Sequence, residues 1–271
     1  MSEDRVSITI TDGIADVRMT RADKRNALDG AMFEALAAAG ERLKTEPGVR
    51  VAVLSGEGSS FCAGLDFATM SALAGGGDRP EGGGNPGAME EGRITHLGQQ
   101  VCWVWQEVPV PVIAAVHGHA LGGGIQVALG ADIRIVHPDT QMSVREIHWG
   151  LVPDMTGSMM LSQLVRADVA KELVLTARIF DGREAFAMGI ATKLSETPYD
   201  DAMAMAREIA GRSPDAVRAG KALLNGLFNQ GAAEQFAAER QAIGSLIGRA
   251  NQKEAVVANF EKRAPNFTEP S

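Results

Sequence analysis

Cysteine is scarce: Cys62 and Cys102 are the only two in 271 residues. That argues against a disulfide framework and suits a reducing cytosol. Basic charge is not in excess. Lys and Arg number 26 against 34 Asp and Glu, giving net charge −8 and a pI near 5.2. No basic stripe reverses that balance, which argues against a general nucleic-acid binder. No window approaches the ~20 apolar residues of a membrane span. The opening Met1-Ser2-Glu3-Asp4-Arg5 is polar and lacks the apolar core of a signal peptide. The expectation is a cytoplasmic globular protein with no membrane or nucleic-acid partner. Metal-ligand spacing is missing too. His117 and His119 would share one face of a strand, but no cysteine or acidic partner lies at ligand spacing. Structural histidines are favoured over a metal site.

The length suits one domain, or a large domain with an appendage, and allows a sizeable core. Ile8 and Ile10 alternate with polar residues before Asp12-Gly13 and Val17, which predicts a hairpin. Asp29 is placed to cap a helix whose apolar stripe is Met32, Phe33, Leu36 and Leu43. Val49 to Leu54, Pro111 to Val116 and Ile133 to Val136 are apolar on both faces, as strands covered on each side should be. Between them Ile94, Leu97, Val101 and Val104 form a helical stripe. Strands alternating with helices predict an α/β fold. Residues Ser71 to Gly92 hold eight glycines and two prolines without a period, and read as a loop or a lid. After Pro153 the chain turns mostly helical. Asp181 to Glu184 form a capping box for a helix ending near Gly189. Ala202 to Ala210, Ala216 to Leu227 and alanine-rich Ala232 to Arg263 continue the pattern. The expected division is a core over 1–200 and a helical region over 201–271.

Two glycine segments carry the chemistry: Phe61-Cys62-Ala63-Gly64-Leu65-Asp66, and His117-Gly118-His119-Ala120-Leu121-Gly122-Gly123-Gly124. Each reads as a strand running into a glycine turn and a helix, which leaves main-chain N–H groups unpaired at the helix start. Two such donors aimed at one point form an oxyanion hole. Val127 breaks a dinucleotide fingerprint, and Ile125-Gln126 breaks a P-loop. The alternative for the triplet alone is glycine serving close helix–strand packing. Candidate carboxylates are Glu146 and Asp154. Ile147 and Trp149 flank Glu146 and would raise its pKa toward the range of a general base. Read structurally instead, Glu146 pairs with Arg145 and Asp154 caps a helix.

F-C-A-G-L-D followed by H-G-x-A-L-G-G-G resembles the enoyl-CoA hydratase/isomerase (crotonase) superfamily, and the resemblance runs from about Arg21 to Phe267. It implies a ββα spiral core with a helical C-terminal region, and an acyl-CoA thioester substrate. It implies no metal, no cofactor beyond the coenzyme A that the substrate carries, and a homotrimer or dimer of trimers. The oxyanion donors fall on Leu65 and Gly123. Of the two glutamates that hold water in the family's hydratases, the second matches Glu146 and the first falls on Gln126, an amide that cannot take a proton. Dienoyl-CoA isomerases place an aspartate eight residues after the glutamate, as Asp154 follows Glu146, yet carry an aspartate where Gln126 stands. Simple enoyl-CoA isomerases use the one glutamate at the Glu146 position. Double-bond isomerisation is therefore favoured; hydration, or a catalytically silent acyl-CoA binder, are the alternatives. For the coenzyme the resemblance implies Arg25, Ala27 and Ala63, with Asp66 capping the helix after the first donor, Gln126 on the substrate side, and Lys262 at the phosphates.

Overall fold

The computed structural model describes residues 5–66, 68–69, 93–149, 151–227 and 249–269. The glycine-rich stretch Ser71 to Gly92 and the helical stretch expected before residue 249 lie outside them.

Alternating Ile and Val in β1 (Val6–Thr11) and β2 (Ile14–Met19) close into an antiparallel hairpin. Asp12 and Gly13 both take positive φ, 52° and 78°, the geometry that matches the strand twist. From β2 onward the sheet is parallel. Its order is β1-β2-β3-β4-β6-β8, with β3 at Val51–Gly56, β4 at Val112–Val116, β6 at Ile133–Val136 and β8 at Lys193–Leu194. The central strands are apolar on both sides because both sides are covered. Ala52 and Leu54 face the main core, while Val51 and Val53 face a smaller cluster with Ala202 and Ala206.

A second, shorter layer lies beside this sheet. Strand β5 (His119–Leu121) runs parallel to β7 (Gln141–Ser143). Single bridges Leu28–Leu65, Cys62–Ala120 and Met142–Phe180 extend the layer on both sides. Each turn of the chain thus places a strand in the large sheet, a short extended piece in the second layer, and then a helix. After Leu28 comes α1 (Gly30–Thr45), capped by Asp29, whose carboxylate accepts from Met32 N. This is the expected ββα spiral. Helix α2 (Leu97–Glu107) is capped by His96, and Ile94, expected on its apolar stripe, is 80% exposed outside it. Helix α3 (Gly123–Gly130) follows β5 and is buried along its whole length.

The rest is helical: α4 (Gly157–Leu164), α5 (Ala167–Thr176), α6 (Gly182–Met188), α7 (Pro198–Ala210), α8 (Pro214–Gly226) and α9 (Ala250–Glu261). Asp181 and Glu184 form the expected capping box on α6. Helix α7 runs across residue 200, and its buried Ala202 and Ala206 close one face of the sheet. None of the described helices is long and apolar enough to cross a membrane.

Helix α8 is latched to the sheet by Lys221. Its ammonium donates to Trp105 O at 2.7 Å and Val110 O at 3.0 Å, and pairs with Asp132 at 2.8 Å. Asp132 also accepts from Val112 N. Burial pulls the lysine below its usual pKa, and Asp132 opposes that shift. Asp132→Ala should leave a buried, uncompensated charge and lower unfolding free energy by about 3 kcal/mol. Urea denaturation measures this; a loss below about 1 kcal/mol would mean that the charge escapes to water.

Candidate active site

The first glycine segment leaves β3 and is stitched to several neighbours at once. Phe61 donates to His117 O at 2.8 Å, Cys62 to His119 O at 2.9 Å, Ala63 to Arg25 O at 2.9 Å and Asp66 to Leu28 O at 3.0 Å. The Leu65 amide has no acceptor among the described residues. Gly64 makes the approach possible. It takes φ +92°, and a Cβ there would lie 2.5 Å from Leu121 O. Only glycine tolerates both conditions.

The second segment supplies the facing donor. Gly122 turns the chain at φ 53° and donates to Ser143 O, which leaves Gly123 as the first residue of α3 with an unaccepted amide. Gly122 Cα lies 3.9 Å from where a Cβ on Gly64 would sit, so the two turns touch backbone to backbone. Gly124 is tighter still, its Cβ position 2.2 Å from Cys62 O. The close-packing reading of these glycines is therefore satisfied, and it leaves the Leu65 and Gly123 amides without an acceptor among the described residues. Burial pushes the Cys62 thiol up to about 12, so it stays protonated and is no nucleophile at neutral pH.

Glu146 opens the short 3-10 turn Glu146–Trp149 and is buried. Its Oε1 lies 3.5 Å from the Cβ position on Gly122, beside the donor turn. Gln126 Nε2 donates to that oxygen at 2.5 Å. Oε2 is buried and has no partner among the described residues. Burial raises the carboxyl above its ordinary pKa. Its own amide and Gln126 pull it down, and the charge of Asp154 adds to the rise. Arg145 does not pair with it, and reaches Ala177 O instead.

Gln126 is fully buried on α3, and its Oε1 accepts from Met155 N at 3.0 Å and Gly157 N at 2.9 Å. Two donors at one end fix which end is oxygen. Asp154 is exposed just before α4. It is not the helix cap that position suggested; Thr156 stands at the N-cap. Thr156 takes φ 68°, rare for a β-branched residue, and its Oγ1 is buried without a partner. Such a conformation costs about 1–3 kcal/mol and persists only where the surroundings impose it.

The structure also gathers the expected coenzyme residues. Exposed Arg25 and buried Ala27 lie on the loop that Ala63 joins. Arg21 spans that loop, donating to Ala27 O at 3.0 Å and Asp66 at 2.7 Å. Asp66 Oδ1 accepts from Ala68 N, as a cap would. Lys262 is exposed at the end of α9, and no described contact joins it to the site. Arg21, Thr156 and Gly157 went unmarked in the sequence. Arg21 sits in no periodic pattern, and left-handed threonine carries no sequence signal.

The sequence pattern of the enoyl-CoA hydratase/isomerase family matches residues 9–270. The chain belongs to that family. Crotonyl-CoA hydratase of Syntrophomonas wolfei is 30% identical over 98% of this chain and 99% of its own length. Mouse mitochondrial methylglutaconyl-CoA hydratase is 29% identical over 94% of this chain and 79% of its own. The solved structure of an enoyl-CoA hydratase from Mycobacterium tuberculosis H37Rv superposes with a TM-score of 0.84 at 31% identity, covering 98% of this chain and 99% of that one. The crotonase fold and an acyl-CoA enzyme are thereby established.

The buried carboxyl of Glu146 has a thermodynamic signature. A carboxyl whose folded pKa lies above its unfolded one contributes stability below the unfolded value and loses it as pH rises through the folded one. Glu146→Gln should therefore melt above the wild type at about pH 7, the gap closing as pH falls toward about 4. A gap that stays constant across that range in calorimetry would mean Glu146 is not desolvated.

Proposed function

We propose that the chain moves a double bond along an enoyl- or dienoyl-CoA thioester, with Glu146 as its single base. One observation carries this reading. Glu146 keeps one carboxylate oxygen unpartnered, and the neighbour that would be a second carboxylate in a hydratase is the amide of Gln126. The Leu65 and Gly123 amides receive the thioester oxygen. Glu146 Oε2 takes a proton from the α- or γ-carbon, and the electron pair left behind spreads onto that oxygen as a dienolate. The same carboxyl then returns the proton at the other carbon. Exposed Asp154 is the alternative donor for that second step. Each oxyanion donor contributes about 3–4 kcal/mol to the barrier in comparable sites. The steps are proton transfers alone, so no cofactor beyond the substrate's own coenzyme A enters.

Hydration is the second reading, favoured by the names of the relatives. There Glu146 would activate water alone, with Gln126 orienting it. We further propose that the enzyme is a cytoplasmic homotrimer or dimer of trimers. The exposure of Lys262, with no described contact to the site, fits a phosphate contact made across subunits.

Mass spectrometry on 2-enoyl-, 3-enoyl- and 3,5-dienoyl-CoA in deuterated water separates the readings, because exchange and water addition leave different mass shifts. Isomerisation predicts a product of unchanged mass with its double bond shifted, carrying deuterium only where the Glu146 proton exchanges with solvent before its return, and no hydrated product; hydrated product from 2-enoyl-CoA alone would overturn it. Glu146→Gln should lower turnover about 10²–10⁴-fold while acyl-CoA still binds. Gln126→Glu should raise hydration of a short 2-enoyl-CoA. No gain there would mean that the pocket, rather than residue 126, excludes hydration.

A further inference from the structure

We infer that the left-handed turn at Thr156 is the positioning element of the base, acting through Gln126 to present Oε2, rather than Oε1, as the Glu146 oxygen that takes the proton. The inference rests on Glu146 being the base, as proposed above.

The links are all main-chain or buried. With Thr156 at φ 68°, the N–H groups of Met155 and Gly157, on either side of it, converge on one acceptor. A left-handed residue between two amides makes such a concave donor pair. The acceptor is the Gln126 carbonyl. Once that oxygen is captured, the planar amide must turn its NH2 end the other way, where it meets Glu146 Oε1. Glu146 then has one oxygen occupied and one open, and the open one has no partner among the described residues. A neutral clamp has a further consequence. An anion at 126 would repel Glu146, whereas an amide orients the carboxylate without competing for its proton.

Gly157 shows that the clamp is built to close contact. A Cβ on it would lie 2.4 Å from Gln126 Oε1, 2.7 Å from Cγ and 2.8 Å from Cδ. Residue 157 must therefore be glycine for Gln126 to sit where it does. The persistence of a strained threonine beside it is accounted for by these two hydrogen bonds. Among the described residues the other titratable groups that act on Glu146 are Asp154, from the loop that follows it, and the Cys102 thiol of α2; its chain neighbour Arg145 turns to Ala177 O. Burial keeps the Cys102 thiol protonated, so the Gln126 bond is the adjustable contact.

Gly157→Ala displaces Gln126 while leaving the identities of Gln126 and Glu146 unchanged, and Gln126→Met removes the amide at nearly constant volume. Losing the Gln126 hydrogen bond removes an interaction that favours the carboxylate, so the Glu146 titration should move to higher pH in both variants. Carbon-13 NMR of labelled glutamate, with Glu146→Gln to assign the resonance, reads that shift whether or not the enzyme turns over. In the activity assay kcat should fall by up to about 100-fold with KM nearly unchanged, and the acid limb of the pH profile should move up with the NMR titration. A folded Gly157→Ala or Gln126→Met protein with the wild-type Glu146 titration would overturn the inference. If the titration moves as expected but no enoyl-CoA is turned over by the wild type, the clamp stands and the isomerase reading falls. Should Gly157→Ala fail to fold, Gln126→Met decides alone.

Discussion

Two loops from different turns of the chain share one main-chain ladder, and the site exists because no side chain stands between them. Cys62 pairs with Ala120, and Gly64 and Gly124 face the carbonyls of Leu121 and Cys62 at distances a Cβ cannot occupy. That contact brings the Leu65 amide beside the start of α3. It also leaves two donors without acceptors among the described residues, where a developing negative charge would gain from them. The spiral supports the contact from both sides. The large sheet holds the strands that lead into each loop, and the buried helices behind them hold the turns open.

Glu146 is the second constraint, and it opposes stability. A buried carboxyl with an unpartnered oxygen is unfavourable for the fold, and its raised pKa expresses that penalty. In the proposed reaction the same burial brings its basicity toward what abstraction of an acyl proton requires. Gln126 moderates the conflict by hydrogen-bonding one oxygen and leaving the other free. The strain at Thr156 belongs to the same bargain between function and stability.

Much of the architecture was legible before any coordinates. The Asp12-Gly13 hairpin, the Asp29 cap, the doubly apolar strands and the Asp181 capping box all express short-range rules. Turn chemistry, capping and periodicity act within a few residues, so they survive as sequence patterns. Ile94 and Asp154 show the limit. Ile94 fits the helical period but precedes the cap that His96 provides, and Asp154 has cap chemistry at a position where the chain turns two residues later. Local preference was overruled in both places by where the chain had to go next.

By itself the sequence determined the class of chemistry. Paired glycine turns, one glutamate and an amide two residues past the triplet are identities, and an amide cannot become a base in any fold. Tertiary structure alone decided what that amide does. Its carbonyl meets two main-chain amides thirty residues away in the chain, and its NH2 meets Glu146 from another loop. A hydrogen-bond direction is set by what surrounds the group in space, and no spacing along the chain encodes it.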